Sequence, residues 1–379
     1  MKDYSKDFGP FDGRIWINAA HQGPLPKVAA EMAREAITWK SAPSLLTTDR
    51  FRDVPKRLRG ALGKLMGVPP GQVILGNSAS YGIHLLANGI RWQAGDEILL
   101  VKNDFPTDIL PWLALEKQGV RIRFLEPGTP LPSAQELADS ISPATRLFCT
   151  TWVHSFSGYA ADHEAIGQVC AEKEVAFVLN CSHALGTRPL DLKGTPVDAV
   201  VGVGFKWLCG PYGTGFAWIR PELMESLELN NAYWQVLLPG DYLAKEDQEL
   251  VLRENVGARR YDVFGTANFF NFYPLAGAVE YLLEVGIETV GAHNQGLVDH
   301  LIAGLDRRRY RLLSPGGGRE RSTLVYFSHC EPERNGDVYR LLQSKGIDIS
   351  FRQGKLRAAP HIYNTLDDID QLLEGLNDV

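Results

Sequence analysis

The 379-residue chain carries 39 basic against 45 acidic residues spread along its length, a net charge of −6, which leaves no basic stripe for nucleic acid and no polybasic membrane segment. Its composition, 45% hydrophobic and 22% charged, is ordinary for a globular protein, and its length predicts two domains rather than one core. Five scattered cysteines without a CxxC pair, no run of membrane-span length and an N-terminus without a signal-peptide core predict a cytoplasmic protein with no structural metal.

Residues 14–26, RIWINAAHQGPLP, predict a short strand that breaks at Gly23-Pro24 and Pro26. A helix follows with Val28, Met32, Ala36 and Trp39 along one face, and a second runs from about Phe51 to Met66. From Gln72 the pattern alternates. Strands near Val73–Leu75, Glu97–Val101, Arg121–Phe124, Arg146–Thr151, Ala176–Asn180, Val197–Val203 and Gly215–Ile219 are separated mostly by helical stretches. That alternation predicts an α/β fold: a mainly parallel, seven-stranded sheet with helices on both faces. Ligands bind outside the carboxyl ends of the strands in such sheets.

Past the first of these strands, GNSASYGIHLL opens a helix with small hydroxyl residues. Free backbone N–H groups and the helix dipole favour a phosphate there, cradled by Ser78, Ala79 and Ser80; a plain serine N-cap accounts for the same residues. NDFPTDILPW and WVHSFSGYAAD put Phe105, His154 and Ser155 at later strand ends, positions that a core ring or a turn cap also fills. Asp162 predicts the N-cap of a helix turning Ala165, Ile166, Val169 and Cys170 inward.

The stretch from Phe177 to Phe216, FVLNCSHALGTRPLDLKGTPVDAVVGVGFKWLCGPYGTGF, is the most informative. One apolar strand ends at Asn180, and a second leads to Lys206 between Phe205 and Trp207. A lysine between aromatics at a strand end is partly desolvated, which lowers its pKa and favours the neutral, nucleophilic amine. Such an amine suits a Schiff base with a carbonyl cofactor, of which pyridoxal phosphate is the commonest. A surface lysine is the plainer reading of Lys206 taken alone. From about Gly286 the chain changes character: helix, a strand near Ser322–Phe327, helix, strand and a final helix predict a small α+β domain. Thr365 caps that last helix, with Asp368 three residues on and Ile369, Leu372, Leu373 and Leu376 on one face. The expected division is residues 1–20 joining the small domain, 21–284 the large domain and 285–379 the small one.

Asn180, His183, Gly186, Asp198, Lys206, Gly210, Pro211, Gly213 and Gly215 stand in the register of Asp-x-x-[Gln/His]-x-x-Gly, Asp, Ser-x-His-Lys, Gly-Pro-x-Gly-x-Gly. With them the chain resembles the class V aminotransferase/cysteine desulfurase family of pyridoxal-phosphate enzymes, and GKLRAAPHIYNTLDDID resembles that family's C-terminal signature. The departures are Asn180 for an aspartate, and Val203 and Phe205 for serine and histidine. The resemblance implies the aspartate-aminotransferase-like fold and assigns Lys206 as Schiff-base lysine and base. His183 and Ser155 fall near the cofactor's phenolic oxygen, Phe105 on the face of the pyridine and Asn180 at its nitrogen. Ser78, Ala79 and Ser80 take the phosphate, while Arg357 forks onto the substrate α-carboxylate, with Asn18 and Ala20 along the substrate side. Gly265 and Thr266 reach a neighbouring subunit's phosphate, which implies a homodimer with shared sites.

The family covers desulfurases, lyases, transaminases and epimerases, and fold does not choose among them. Its desulfurases carry a nucleophilic cysteine shortly before the C-terminal arginine. GIDISFRQGKLR has none and Cys330 lies too early, so persulfide formation on the enzyme is not expected. Asn180 is neutral, which is expected to weaken the cofactor as an electron sink and to favour reactions whose Cα electrons leave at once. The reading is therefore β-elimination on a cysteine-derived L-amino acid, in specialised metabolism. An aminotransferase or epimerase, a decarboxylating or oxygen-using enzyme, and a non-catalytic scaffold are the alternatives.

Overall fold

Seven apolar runs pair into the central sheet of a computed structural model, which describes residues 2–238 and 256–378. They are β1 (Val73–Gly76), β2 (Glu97–Val101), β3 (Arg121–Leu125), β4 (Thr145–Thr151), β5 (Ala176–Asn180), β6 (Ala199–Val203) and β7 (Gly215–Ile219). Their spatial order is β1-β7-β6-β5-β4-β2-β3, parallel except for β7, which runs antiparallel to both β1 and β6. Alternate side chains enter two separate cores, as a pleated strand requires. Leu75, Leu99, Phe148, Phe177 and Leu179 face one; Ile74, Ile98, Leu147, Val178 and Val201 face the other. β3 alternates charged with apolar residues and is the polar edge strand.

The helices that cover the sheet and complete the chain include α1 (Lys27–Ser41), α2 (Thr48–Met66), α3 (Ala79–Gly89), α4 (His163–Glu172), α5 (Phe269–Val285), α6 (Ile287–Gly304) and α7 (Leu366–Asn377). The buried stripe of α1 is Ala29, Met32, Ala36 and Trp39. Val28, expected on that face, is 43% exposed, because one residue back turns its side chain about 100° from the stripe. β6 begins at Ala199 rather than Val197, since the Val197 N–H closes a turn onto the Thr195 carbonyl at 2.9 Å. Asp162 caps α4 by accepting from the Ala165 N–H at 3.2 Å, and Thr365 with Asp368 forms a reciprocal capping box on α7.

The C-terminal part holds a four-stranded antiparallel sheet, β8 (Tyr310–Leu312), β9 (Val325–His329), β10 (Ser350–Arg352) and β11 (Lys355–Ala358), in the order β10-β11-β9-β8. β9 starts later than the Ser322 read from sequence, because Ser322 is spent on a turn, bonding the Gly158 carbonyl and the Leu324 N–H. Ile15–Trp16 pairs in parallel with Ile347–Asp348, and Asn18 bridges Ala359. The chain start is thereby tied to the C-terminal sheet beside β11. Among the described residues, no helix is long and apolar enough to cross a membrane.

Candidate active site

Where β6 ends, the chain makes a tight turn that delivers Lys206. Gly204 donates to the Thr214 carbonyl at 3.1 Å, Gly210 to the Gly204 carbonyl at 2.8 Å and Cys209 to the Lys206 carbonyl at 3.1 Å. The N-terminal segment clamps this turn from outside. Gly23 donates to the Phe205 carbonyl at 2.8 Å, and a Cβ at Gly23 would stand 1.9 Å from the Lys206 carbonyl oxygen. No side chain fits there.

The Lys206 Nζ lies 5.5 Å from the Phe105 ring centre, 6.0 Å from that of Phe205 and 3.1 Å from His183 Nε2. The two aromatic rings beside the amine are thus Phe105 and Phe205, whereas the sequence suggested Phe205 and Trp207. Trp207 is buried beneath, its indole N–H donating to His183 Nδ1 at 3.3 Å. Burial first, then the Arg357 charge, pushes the Lys206 amine down to about 7, against an opposing pull from Asp108. Burial and the Lys206 charge likewise hold His183 well below the usual imidazole range, so its ring is neutral. Because Nδ1 accepts from Trp207, the hydrogen-bond network places the proton on Nε2. That N–H points at Lys206, whose amine must then accept. The arrangement favours a neutral, nucleophilic lysine.

Ser78 is the N-cap of α3, its hydroxyl accepting from the Tyr81 N–H at 3.2 Å. The first-turn amides of Ala79 and Ser80 therefore lie outside the helix ladder, facing where an anion would sit. Ser80 Oγ stands 3.1 Å from Thr107 Oγ1. A Cβ on Gly215 would meet the Ser78 backbone at 2.4 Å, so only glycine in β7 lets this loop lie so close.

Arg357, on β11, is 4% exposed. Its Nη2 donates to Ser350 Oγ at 3.0 Å and Asn18 Oδ1 at 3.4 Å, while its buried Nε has no partner among the described residues. A buried guanidinium with an orphan N–H and no carboxylate beside it is built to receive one. Ala20 is buried in the same N-terminal turn. Two titratable neighbours escaped the sequence reading. The charges of Arg352, Arg357 and Lys206 all add to burial in lowering the His21 pKa, which groups His21 and Arg352 with this end of the site. His21 directly follows Asn18–Ala20, and Arg352 lies across the hairpin from Lys355, but neither spacing is a signal by itself.

At the end of β5, Asn180 is buried, and its Nδ2 donates to Asp108 Oδ1 at 2.8 Å and Oδ2 at 3.1 Å. Its Oδ1 accepts from the Ser182 N–H at 3.0 Å. Asp104, also buried, accepts from the Thr151 N–H, the Thr150 hydroxyl and the Phe105 N–H. Asn180 is itself neutral, but a buried carboxylate lies one hydrogen bond behind it. Asp104 and Asp108 flank Phe105 in NDFPTDILPW, and sequence gave no distance from there to Asn180.

The remaining candidates contribute less directly. The Ser155 carbonyl accepts the Tyr326 hydroxyl, and His154 buttresses its own loop through Ser157 Oγ at 2.8 Å and the Asn103 carbonyl at 3.2 Å. Gly265, at φ +75°, donates to the Tyr233 hydroxyl at 3.0 Å, and Thr266 beside it is buried. Among the described bonds, neither joins the Lys206 cluster. Phe205 packs on Tyr212 with ring centres 4.7 Å apart. An electrophile-ready amine, free helix-start amides, an orphan guanidinium N–H and the unpartnered, buried Ser182 Oγ together fit pyridoxal phosphate and an amino acid.

A profile of the family described as Aminotransferase class-V matches residues 25–372. The chain belongs to that family. It is a pyridoxal-phosphate-dependent enzyme with the corresponding α/β fold. Class-V relatives span almost its full length. An isopenicillin N epimerase of Streptomyces clavuligerus is 27% identical over 95% of the chain and 94% of its own length. A protein described as a probable cysteine desulfurase, of Methanothermobacter thermautotrophicus, is 22% identical over 100% and 98%. Among solved structures, C-DES, described as a cystine C–S lyase, superposes with TM-scores of 0.88 and 0.87 at 21% and 23% identity. Those two structures cover 100% and 97% of this chain and 100% and 98% of theirs. At that identity the likeness shows the shared fold.

Proposed function

We propose that the chain is a β-eliminating C–S lyase for a cysteine-derived L-amino acid, working as a homodimer with shared sites. The observation that carries this reading is a desolvated amine at the site's centre with no exposed, readily ionised enzyme thiol beside it. Cys149, Cys170, Cys181 and Cys209 are buried, and burial pushes each thiol up. Cys330 lies past the end of β9, four positions beyond Tyr326, the residue opposite Arg357, or about 13 Å along the strand. Sulfur leaving a substrate therefore has no cysteine to receive it.

Bound pyridoxal phosphate supplies an electron sink conjugated to the substrate's Cα. Arg357 offers its unpartnered Nε N–H and its charge to the α-carboxylate, which fixes the amino acid relative to Lys206. Lys206 Nζ takes the Cα proton. The Cβ–S bond then breaks with its electron pair on sulfur, and water completes the release of pyruvate and ammonia. Before the proton transfer, neutral His183 donates from Nε2 to the neutral Lys206 amine.

Purified enzyme given cystine or an S-substituted cysteine should release thiol or persulfide, pyruvate and ammonia in equal amounts. Keto-acid formation with accumulation of pyridoxamine phosphate and no thiol would defeat the reading. Because Asp108 lies behind Asn180, elimination no longer rests on a weak electron sink. The same carboxylate favours a second reading, reprotonation at Cα as in an epimerase. Deuterium entering Cα from heavy water without thiol release would single it out.

A further inference from the structure

Besides its phenolic oxygen, pyridoxal phosphate has three groups to seat: the aldehyde, the phosphate and the ring nitrogen. Lys206 takes the first and the start of α3 suits the second. The inference here rests on the third being seated at the buried polar end of β5, on Asn180.

The Asn180 amide is locked. Its Nδ2 serves both Asp108 oxygens and its Oδ1 takes the Ser182 N–H. Turning it over would set Oδ1 against a carboxylate and Nδ2 against an N–H, replacing bonds with repulsions. Oδ1 keeps a second lone pair, so the amide offers an acceptor whose polarity the carboxylate behind it increases.

Asp108 and Asp104 are 1% and 4% exposed, and neither forms an ion pair among the described residues. Among the described residues, Asp104 has three donors, whereas the Asp108 carboxylate has the Asn180 amide alone. A buried carboxylate without a cation is costly, and burial followed by the Asp104 charge pushes the Asp108 carboxyl up. The Lys206 charge pulls against this from a distance, but Lys206 forms no ion pair with Asp108 among the described residues and its own amine is pushed down to about 7. A protonated ring nitrogen is the cation that this pair lacks.

We propose that Asp108 is a positioning residue that supplies the counter-charge of the cofactor's ring nitrogen through the side-chain amide of Asn180. The ring N–H donates to Asn180 Oδ1, and Asn180 Nδ2–H donates to the Asp108 carboxylate. The negative charge sits one residue behind the amide instead of on the ring nitrogen's own partner. Asn180 is then half of a carboxylate–amide pair, and the ring remains a strong electron sink.

The test is the ¹⁵N resonance of pyridoxal phosphate labelled at the ring nitrogen, bound to wild type, Asp108→Asn and the exchange variant Asp108→Asn/Asn180→Asp. Wild type should show a protonated pyridinium at neutral pH. Asp108→Asn should move the resonance into the neutral pyridine range, and the exchange variant should return it. A neutral ring nitrogen in wild type overturns the proposal, as does an unmoved resonance in Asp108→Asn, which would mark Asp108 as merely structural. Should Asp108→Asn fail to fold or to hold the cofactor, Asp108→Ser decides. A neutral ring nitrogen there supports the proposal and a protonated one overturns it. No substrate enters the measurement, so its outcome is independent of whether the reaction is elimination.

Discussion

Lys206 shows how one residue's chemistry follows from its surroundings. In water an ammonium is well solvated, but between Phe105 and Phe205, with Arg357 adding a like charge, the proton is held far less tightly. Its folded pKa of about 7 lies below the ordinary 10.5, so between those values the unfolded chain binds the proton more readily than the folded one. Stability of the cofactor-free protein should therefore rise as pH climbs from about 7 to 10.5, with the full penalty, on the order of 5 kcal/mol, present below 7. Replacing Lys206 by Met in cofactor-free protein should raise Tm at neutral pH and lose the advantage toward pH 10. An unchanged Tm would mean that the amine is not desolvated. With cofactor added, Lys206→Ala should lose the violet-region absorbance that borohydride bleaches in wild type. The aromatic neighbours Phe205 and Trp207 announced this amine in the sequence. They could not show that Phe105, a hundred residues away, supplies the second ring, since that pairing depends on which strand ends meet.

Elements hold the site through contacts that have no sequence signature. The Gly23 segment presses on the lysine turn with no space for a methyl group, so Gly23→Ala forces the turn to move. We expect a loss of about 1–3 kcal/mol and of cofactor absorbance together, read by thermal melting and the visible spectrum. Behind β1, the buried Arg59–Asp262 pair joins α2 to the segment that leads into Gly265 and Thr266, and Asp262 also accepts the Leu75 N–H at 2.9 Å. Asp262→Ala leaves Arg59 charged and alone in the interior and should cost about 3–5 kcal/mol in a denaturation experiment. The helices and strands themselves were legible because apolar periodicity reflects which face is buried. Their ends were less so. Val197 and Ser322 look like strand residues by composition, yet each spends its polar groups on a turn.

Across the whole molecule, the site joins parts distant in sequence. Lys206 comes from the large sheet, Arg357 from the C-terminal sheet and Asn18 from the chain start, and the Asn18–Ala359 bridge keeps the last two together. Arg357→Lys loses the planar fork but keeps the charge, and should raise KM for amino acids about tenfold or more while changing kcat less. Equal losses in both would place Arg357 elsewhere in the cycle. If Thr266 completes the neighbouring subunit's site, Lys206→Ala and Thr266→Ala proteins, each weak alone, should regain activity when mixed and re-associated, because one site of each hybrid is then intact. No recovery from verified hybrids would show that each chain carries a whole site.

The sequence by itself determined the fold and the chemistry of the central amine. Strand and helix periods report burial directly, and the lysine block and the Arg357 run are local motifs whose residues act near one another in the chain. Only the tertiary structure decided what surrounds them. Asn180 read alone is a neutral residue where a charge is wanted. Asp108 reaches it only because β2 and β5 flank β4, which brings their ends within one hydrogen bond. Electrostatics depends on distance through space, and a chain of letters fixes distance only over the few residues that one element spans.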